Sequence, residues 1–185
     1  PHALLIGGSE GIGKATLAYR IARFVLAGGQ AEAAQHDFSV APGHPAFRQV
    51  AALTHPDLLV LRRAAEGEDE KVPTVIPAEM VRRARSFFGA TAAGGGWRVC
   101  IVDAVDDLNA FGANALLKTL EEPPSHVVFI FATTEIHKIP CDDPLTSQHY
   151  NFRRISKAEI VQRLRHVADQ DGLVIEDRSL MALAR

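Results

Sequence analysis

The run Gly8-Ser9-Glu10-Gly11-Ile12-Gly13-Lys14 fits the spacing G-x-x-x-x-G-K. Glycines at this spacing let backbone N–H groups wrap a phosphate, and the N-terminus of a following helix adds partial positive charge. Lys14 would reach the terminal phosphates. The candidate nucleotide-binding residues are therefore Gly8, Gly11, Ile12, Gly13, Lys14, Ala15 and Thr16. Ala15 departs from the pattern, because it stands where a serine or threonine hydroxyl should hold magnesium. Thr16 is one position late, which on a helix turns its side chain about 100° away. A second candidate is Asp103, which follows the apolar run Val99-Cys100-Ile101-Val102. A carboxylate at the end of such a strand can reach a magnesium ion.

These residues need elements to position them. Ala3 to Ile6 predicts a short buried strand before the loop, and Lys14 to Ala27 predicts a helix with Leu17, Ile21, Phe24 and Val25 on its apolar side. The run 99–102 predicts a strand buried on both faces of a parallel sheet. Asp106-Asp107-Leu108-Asn109 offers caps for a helix whose apolar positions are Phe111, Ala115, Leu116 and Leu120. That helix presents Asn114, Lys118 and Glu121 on polar faces and stops before Pro123 and Pro124. Leu58 to Leu61, after the turn His55-Pro56-Asp57, and Val127 to Ala132 predict further strands. Pro77, Met80, Ala84, Phe87 and Phe88 mark an amphipathic helix, with Arg82, Arg83 and Arg85 on its solvated side.

Between Gly28 and His55 there is little periodicity, and a solvated loop is expected. His36, His44 and His55, with Asp37, match no zinc spacing, so no metal is expected there. Residues 64–71 are acidic and glycine-containing, a surface loop by composition. Ser156 predicts the cap of a helix over Lys157 to Gln170, with Ile160, Leu164 and Val167 on one face. Gly172 ends it, and Glu176 to Arg185 begins another.

The 185 residues suit one or two domains, and the hydrophobic and charged fractions, 47% and 23%, are those of an ordinary globular chain. A net charge of -2 and a pI near 6.5 argue against a bulk field that holds DNA. No apolar run approaches the ~20 residues of a membrane span and no signal peptide opens the chain, which favours the cytoplasm. Cys100 and Cys141 lie far apart, so reduced thiols are expected rather than a disulfide. Lacking an initiator methionine and stopping inside a helical pattern, the sequence reads as a fragment.

The string Asn114-Ala115-Leu116-Leu117-Lys118-Thr119-Leu120-Glu121-Glu122-Pro123-Pro124 closely resembles the segment after the Walker B strand in bacterial clamp-loader ATPases of the AAA+ class, the gamma/tau and delta-prime subunits of DNA polymerase III. The resemblance covers nearly the whole chain. Residues up to Asp103 look most like delta-prime, and Thr119 to Ser156 look more like gamma/tau. It implies an α/β AAA+ P-loop NTPase-like domain over 1–155, with a central parallel sheet flanked by helices, and the truncated start of a helical lid domain over 156–185. Asp103 would be the Walker B acid, and Thr133 and Thr134 the sensor that feels the terminal phosphate. The family's zinc module of four cysteines has no counterpart here, so no zinc is expected.

Three departures bear on activity: Ala15 for the magnesium hydroxyl, Ala104 where active members place the glutamate that activates water, and Thr146 where ungapped counting puts the arginine finger. No catalytic residue is assigned. The resemblance implies a delta-prime-type subunit that helps ATP-driven loading of the sliding clamp onto primed DNA without hydrolysing ATP itself. Its partners would be the gamma/tau and delta subunits, with clamp and DNA met through the complex. ATP with magnesium is the candidate ligand, and no membrane is involved. The alternative is a gamma/tau-type motor, and behind it an unrelated P-loop kinase, against which the 114–124 string stands.

Overall fold

Alternation in four apolar runs sets the architecture. Ala3, Leu5, Leu61, Cys100, Val102, Phe129 and Phe131 point to one core, while Ile6, Val99, Ile101 and Ile130 point to another. Strands apolar on both faces must be covered on both sides, and that calls for a parallel sheet between helices. A computed structural model describes residues 2–29, 38–63, 72–93, 96–121, 123–136 and 147–184. Among these, β1 (Ala3–Gly8), β2 (Leu58–Arg62), β3 (Arg98–Asp103), β4 (Val127–Thr133) and β5 (Ser147–Phe152) form one sheet in the order β2-β3-β4-β1-β5, with every pair parallel. Helix α1 (Lys14–Leu26) covers one face through Ala18, Ile21 and Ala22. Helices α3 (Ala78–Gly89) and α4 (Ala110–Glu121) cover the other through Val81, Ala84, Phe88 and Leu116. The Phe88 and Phe129 rings meet at 5.0 Å.

Several expectations change. The interval expected to be a loop contains α2 (Pro45–Ala51). Its start is set by His44, whose ring accepts a hydrogen bond from the Ala46 N–H at 3.2 Å, and by Pro45 in the first turn. Seven residues hold too few apolar positions to show a period, yet Ala46 and Val50 are buried. His44 is thus a cap, and His55 accepts from the Asp57 N–H at 3.1 Å. Strand β5 was not foreseen, because Ser-Gln-His-Tyr-Asn-Phe carries no apolar run; it pairs with β1 at the sheet edge, where most of it faces outward. Phe111 is 57% exposed rather than in the core, since α4 turns Gly112 and Leu116 inward. Phe24 packs edge-on against Phe38 at 5.5 Å, outside the α1 core contact.

His36, Asp37, the loop 64–71, Cys141, the flank 137–140 and Thr146 lie outside the described residues, as do the side chains of Arg85 and Ala115. Contacts divide the chain into the unit Pro1–Phe152 and the unit Arg153–Arg185. The second holds α5 (Lys157–Gln170) and α6 (Asp177–Leu183). Helix α5 opens with a capping box: the Ser156 hydroxyl accepts from the Glu159 N–H, and the Glu159 carboxylate accepts from the Ser156 N–H at 2.8 Å. Ala168 is the residue of α5 that is buried, and Val167 is 43% exposed, so the covered face lies about one position from the expected one.

Candidate functional site

Strand pairing lines up the strand ends. Arg62 of β2 sits opposite Asp103 of β3, Asp103 opposite Ala132 of β4, and Thr133 opposite Gly7 of β1. Ligands of open parallel sheets gather where strand order jumps, beyond the carboxyl ends of the strands. Here that place is the junction of β1 with β4. A cleft of about 560 Å³ lies there, lined by Glu10, Gly11, Gly13, Lys14, Ala15, Thr16, Arg63, Asp103, Ala104, Asp106, Asp107 and Thr134.

The loop between β1 and α1 has the backbone expected of its glycines. Gly8, Gly11 and Gly13 take φ of 144°, 76° and 100°, a region L side chains rarely enter. A Cβ on Gly8 would also meet the Phe152 carbonyl oxygen at 2.7 Å, whereas Gly11 and Gly13 border open space. Gly13 caps α1 and has no side chain to bond the first-turn N–H groups, which have no partner within the helix. The Lys14 side chain folds back over the loop: its ammonium donates to the carbonyls of Gly8 at 2.8 Å and Ser9 at 3.0 Å. Among the described residues these two carbonyls are its acceptors, and an ammonium has three donors.

Sequence reasoning missed most of the acidic and basic lining. Asp106 and Asp107, read as helix caps, belong to a 3-10 turn over Val105–Asp107. The cap of α4 is Asn109, whose side-chain oxygen accepts from the Gly112 N–H at 2.8 Å. Consecutive short polar residues all suit a cap, so the sequence could not choose among them. Asp106 instead accepts from the Thr133 hydroxyl at 2.8 Å, the Thr134 N–H at 2.8 Å and the Thr134 hydroxyl at 3.2 Å. Thr133 is fully buried and its oxygen also accepts from the Glu135 N–H, while Thr134 borders the cleft. Asp107 is paired with Arg63 at 2.9 Å. Burial pushes the Asp103 carboxyl above the usual aspartate range, and the charges of Lys14 and Arg62 work against that rise.

The expected residues thus converge unevenly. Gly11, Gly13, Lys14, Ala15, Thr16, Asp103 and Thr134 share the cleft, Gly8 shapes the loop behind it, and neither Ile12 nor Thr133 lines it. Loop, orphan N–H groups and lysine together can hold a phosphate chain. Ala15 and Ala104 put methyl groups into the same cleft. Among the described residues no group of three or more His, Cys, Asp or Glu side chains is arranged to hold a metal ion, and no helix is long and apolar enough to cross a membrane.

A five-stranded parallel sheet between helices, with a glycine-lysine loop beside an acid-tipped strand, makes this an α/β domain. A solved gamma subunit-related protein from Thermotoga maritima shares the fold over 98% of this chain and 52% of its own, with a TM-score of 0.51 and 15% identity. The profile of the family described as "DNA polymerase III, delta subunit" matches residues 1–141. The chain belongs to that family. It is also similar to the tau subunit of Bacillus subtilis, 46% identical over 88 residues, 48% of this chain and 16% of that one. The gamma/tau subunit of Mycobacterium bovis is 30% identical over 181 residues, 95% of this chain and 28% of its own. The chain therefore spans less than a third of the length of these two curated relatives.

Proposed function

We propose that the chain serves as a delta-prime-type subunit of the clamp loader, a part of the assembly that does not hydrolyse ATP and against which ATP-driven neighbours move. One observation carries this reading: Ala15 and Ala104 both border the cleft that Lys14 and Asp103 share. A methyl group offers no oxygen to a metal and accepts no proton from water. Gly8, Gly11, Ile12, Gly13, Lys14, Ala15 and Thr16 supply the loop and helix start that hold ATP, beside Asp103 and the Thr133–Thr134 pair. Residues 156–185 are the start of the lid. Gamma/tau and delta subunits are the direct partners, the sliding clamp and primed DNA are reached through the complex, and the protein works in the cytoplasm.

The second reading, a gamma/tau motor, is favoured by the names of the curated relatives. Phosphate release separates the two. The chain is assembled with catalytically dead partner subunits, clamp and primed DNA, so that any turnover belongs to it. The expected result is no release above background. Turnover that disappears in Lys14→Ala would make the chain a motor.

A further inference from the structure

Of the four acidic residues that line the cleft, Glu10, Asp103, Asp106 and Asp107, the last two are matched to protein partners. A bound magnesium usually takes one or two carboxylates together with phosphate oxygens, waters and, in a P-loop, the hydroxyl after the lysine. Ala15 supplies no oxygen. Asp107 is held by Arg63 at 2.9 Å, and both oxygens of Asp106 are taken up by Thr133 and Thr134. Asp103 stands in register beside Arg62, whose charge acts on it together with that of Lys14. The donor set fits magnesium poorly.

Positive charge, by contrast, is built into the same walls. Lys14 and Arg63 line one cleft with the orphan N–H groups of α1, and Asp107 anchors the Arg63 guanidinium through its Nε. The planar guanidinium fork matches phosphate oxygens in geometry.

We propose that this cleft takes the phosphate chain of a nucleoside di- or triphosphate without magnesium, with the Lys14 ammonium and the Arg63 guanidinium as its counter-charges. The inference rests on the nucleotide-binding reading of the cleft. Arg63 is a binding residue in it, and Asp107 positions Arg63.

Calorimetry of ATP binding to the whole chain, in excess magnesium and in EDTA at matched ionic strength, tests it. The two dissociation constants should agree within about threefold. Arg63→Ala should weaken binding in EDTA about tenfold or more, and Arg63→Lys should recover part of that loss by keeping the charge without the fork. Ala15→Thr, which returns a hydroxyl, should make binding depend on magnesium. Thermal unfolding of each variant verifies that it is folded. Binding that is retained in magnesium but falls about tenfold in EDTA overturns the metal-free mode and leaves the nucleotide reading standing. Unchanged affinity in folded Arg63→Ala overturns the assignment of Arg63. No ATP binding under either condition overturns both the inference and the nucleotide reading.

Discussion

The two ends of the sheet each carry an aspartate–arginine pair, and the pairs differ in everything but chemistry. At the amino ends of the strands, Arg98 meets Asp57 at 3.0 Å with side chains 10% and 7% exposed. Asp57 also accepts from the Ala93 N–H at 3.0 and 3.1 Å, while Arg98 donates to the Phe87 carbonyl and lies 4.4 Å above the Phe87 ring. At the carboxyl ends, Arg63 meets Asp107 at 2.9 Å with side chains 44% and 21% exposed, beside the cleft. The first pair is closed on itself and joins β2, β3 and α3. The second is partly exposed and lines the cleft. Burial, rather than the identity of the two residues, decides whether such a pair is shut off from solvent or stays open to it.

The sharpest way to break this contrast is Asp57→Ala. It leaves the buried Arg98 guanidinium unpaired, and the expected loss of stability is about 3–5 kcal/mol. Asp107→Ala, at the open end, should cost under about 1 kcal/mol. Urea unfolding of the two variants side by side measures the difference, and equal losses would erase the distinction.

Gly8→Ala comes next. Its Cβ would meet the Phe152 carbonyl oxygen at 2.7 Å in a backbone of φ 144°, so a loss of about 2 kcal/mol is expected, together with loss of ATP binding. Gly11→Ala meets open space and carries only the strain of its φ of 76°, which should be the smaller of the two effects in the same melts.

Asp106→Ala removes the acceptor of three hydrogen bonds from Thr133 and Thr134. Because Thr133 is buried, its hydroxyl would be left with an unanswered proton, at a cost of about 1–3 kcal/mol. Asp106→Asn, which keeps an acceptor, should recover part of this. Thermal denaturation of both variants gives the comparison.

The smallest effect is a pH dependence at Asp103. Burial raises its carboxyl pKa in the folded chain. The stability this group contributes is full below its unfolded pKa and is lost as pH rises through the raised folded value. Asp103→Asn removes that loss, so the variant should gain on the parent as pH climbs out of the acidic range. Melting temperatures across that range test the sign. A parent that instead gains stability relative to the variant as pH rises would contradict the burial of Asp103.

Much of this arrangement was legible in the residues. Glycine at 8, 11 and 13 pointed to a backbone that other residues avoid, and the fully apolar run 99–102 to a strand with two covered faces, for reasons that are local. Helix α2 was hidden because a proline and a histidine cap seven residues that show no period. Strand β5 was hidden because its polarity suits an edge, where pairing with β1 supplies the order that composition does not.

The sequence by itself determined the glycine-rich turn before Lys14, the central strands with Asp103 at one tip, and the methyl groups at Ala15 and Ala104, since each is a property of a short stretch of chain. Only the tertiary structure decided that Asp106 would bind the threonines at the end of β4, that Arg63 would face Asp107 across the cleft, and that Arg62 would lie beside Asp103. Those partners lie up to dozens of residues apart. Their meeting depends on which strands neighbour one another and in what register, and that is set by the burial of both sheet faces together rather than by any segment alone.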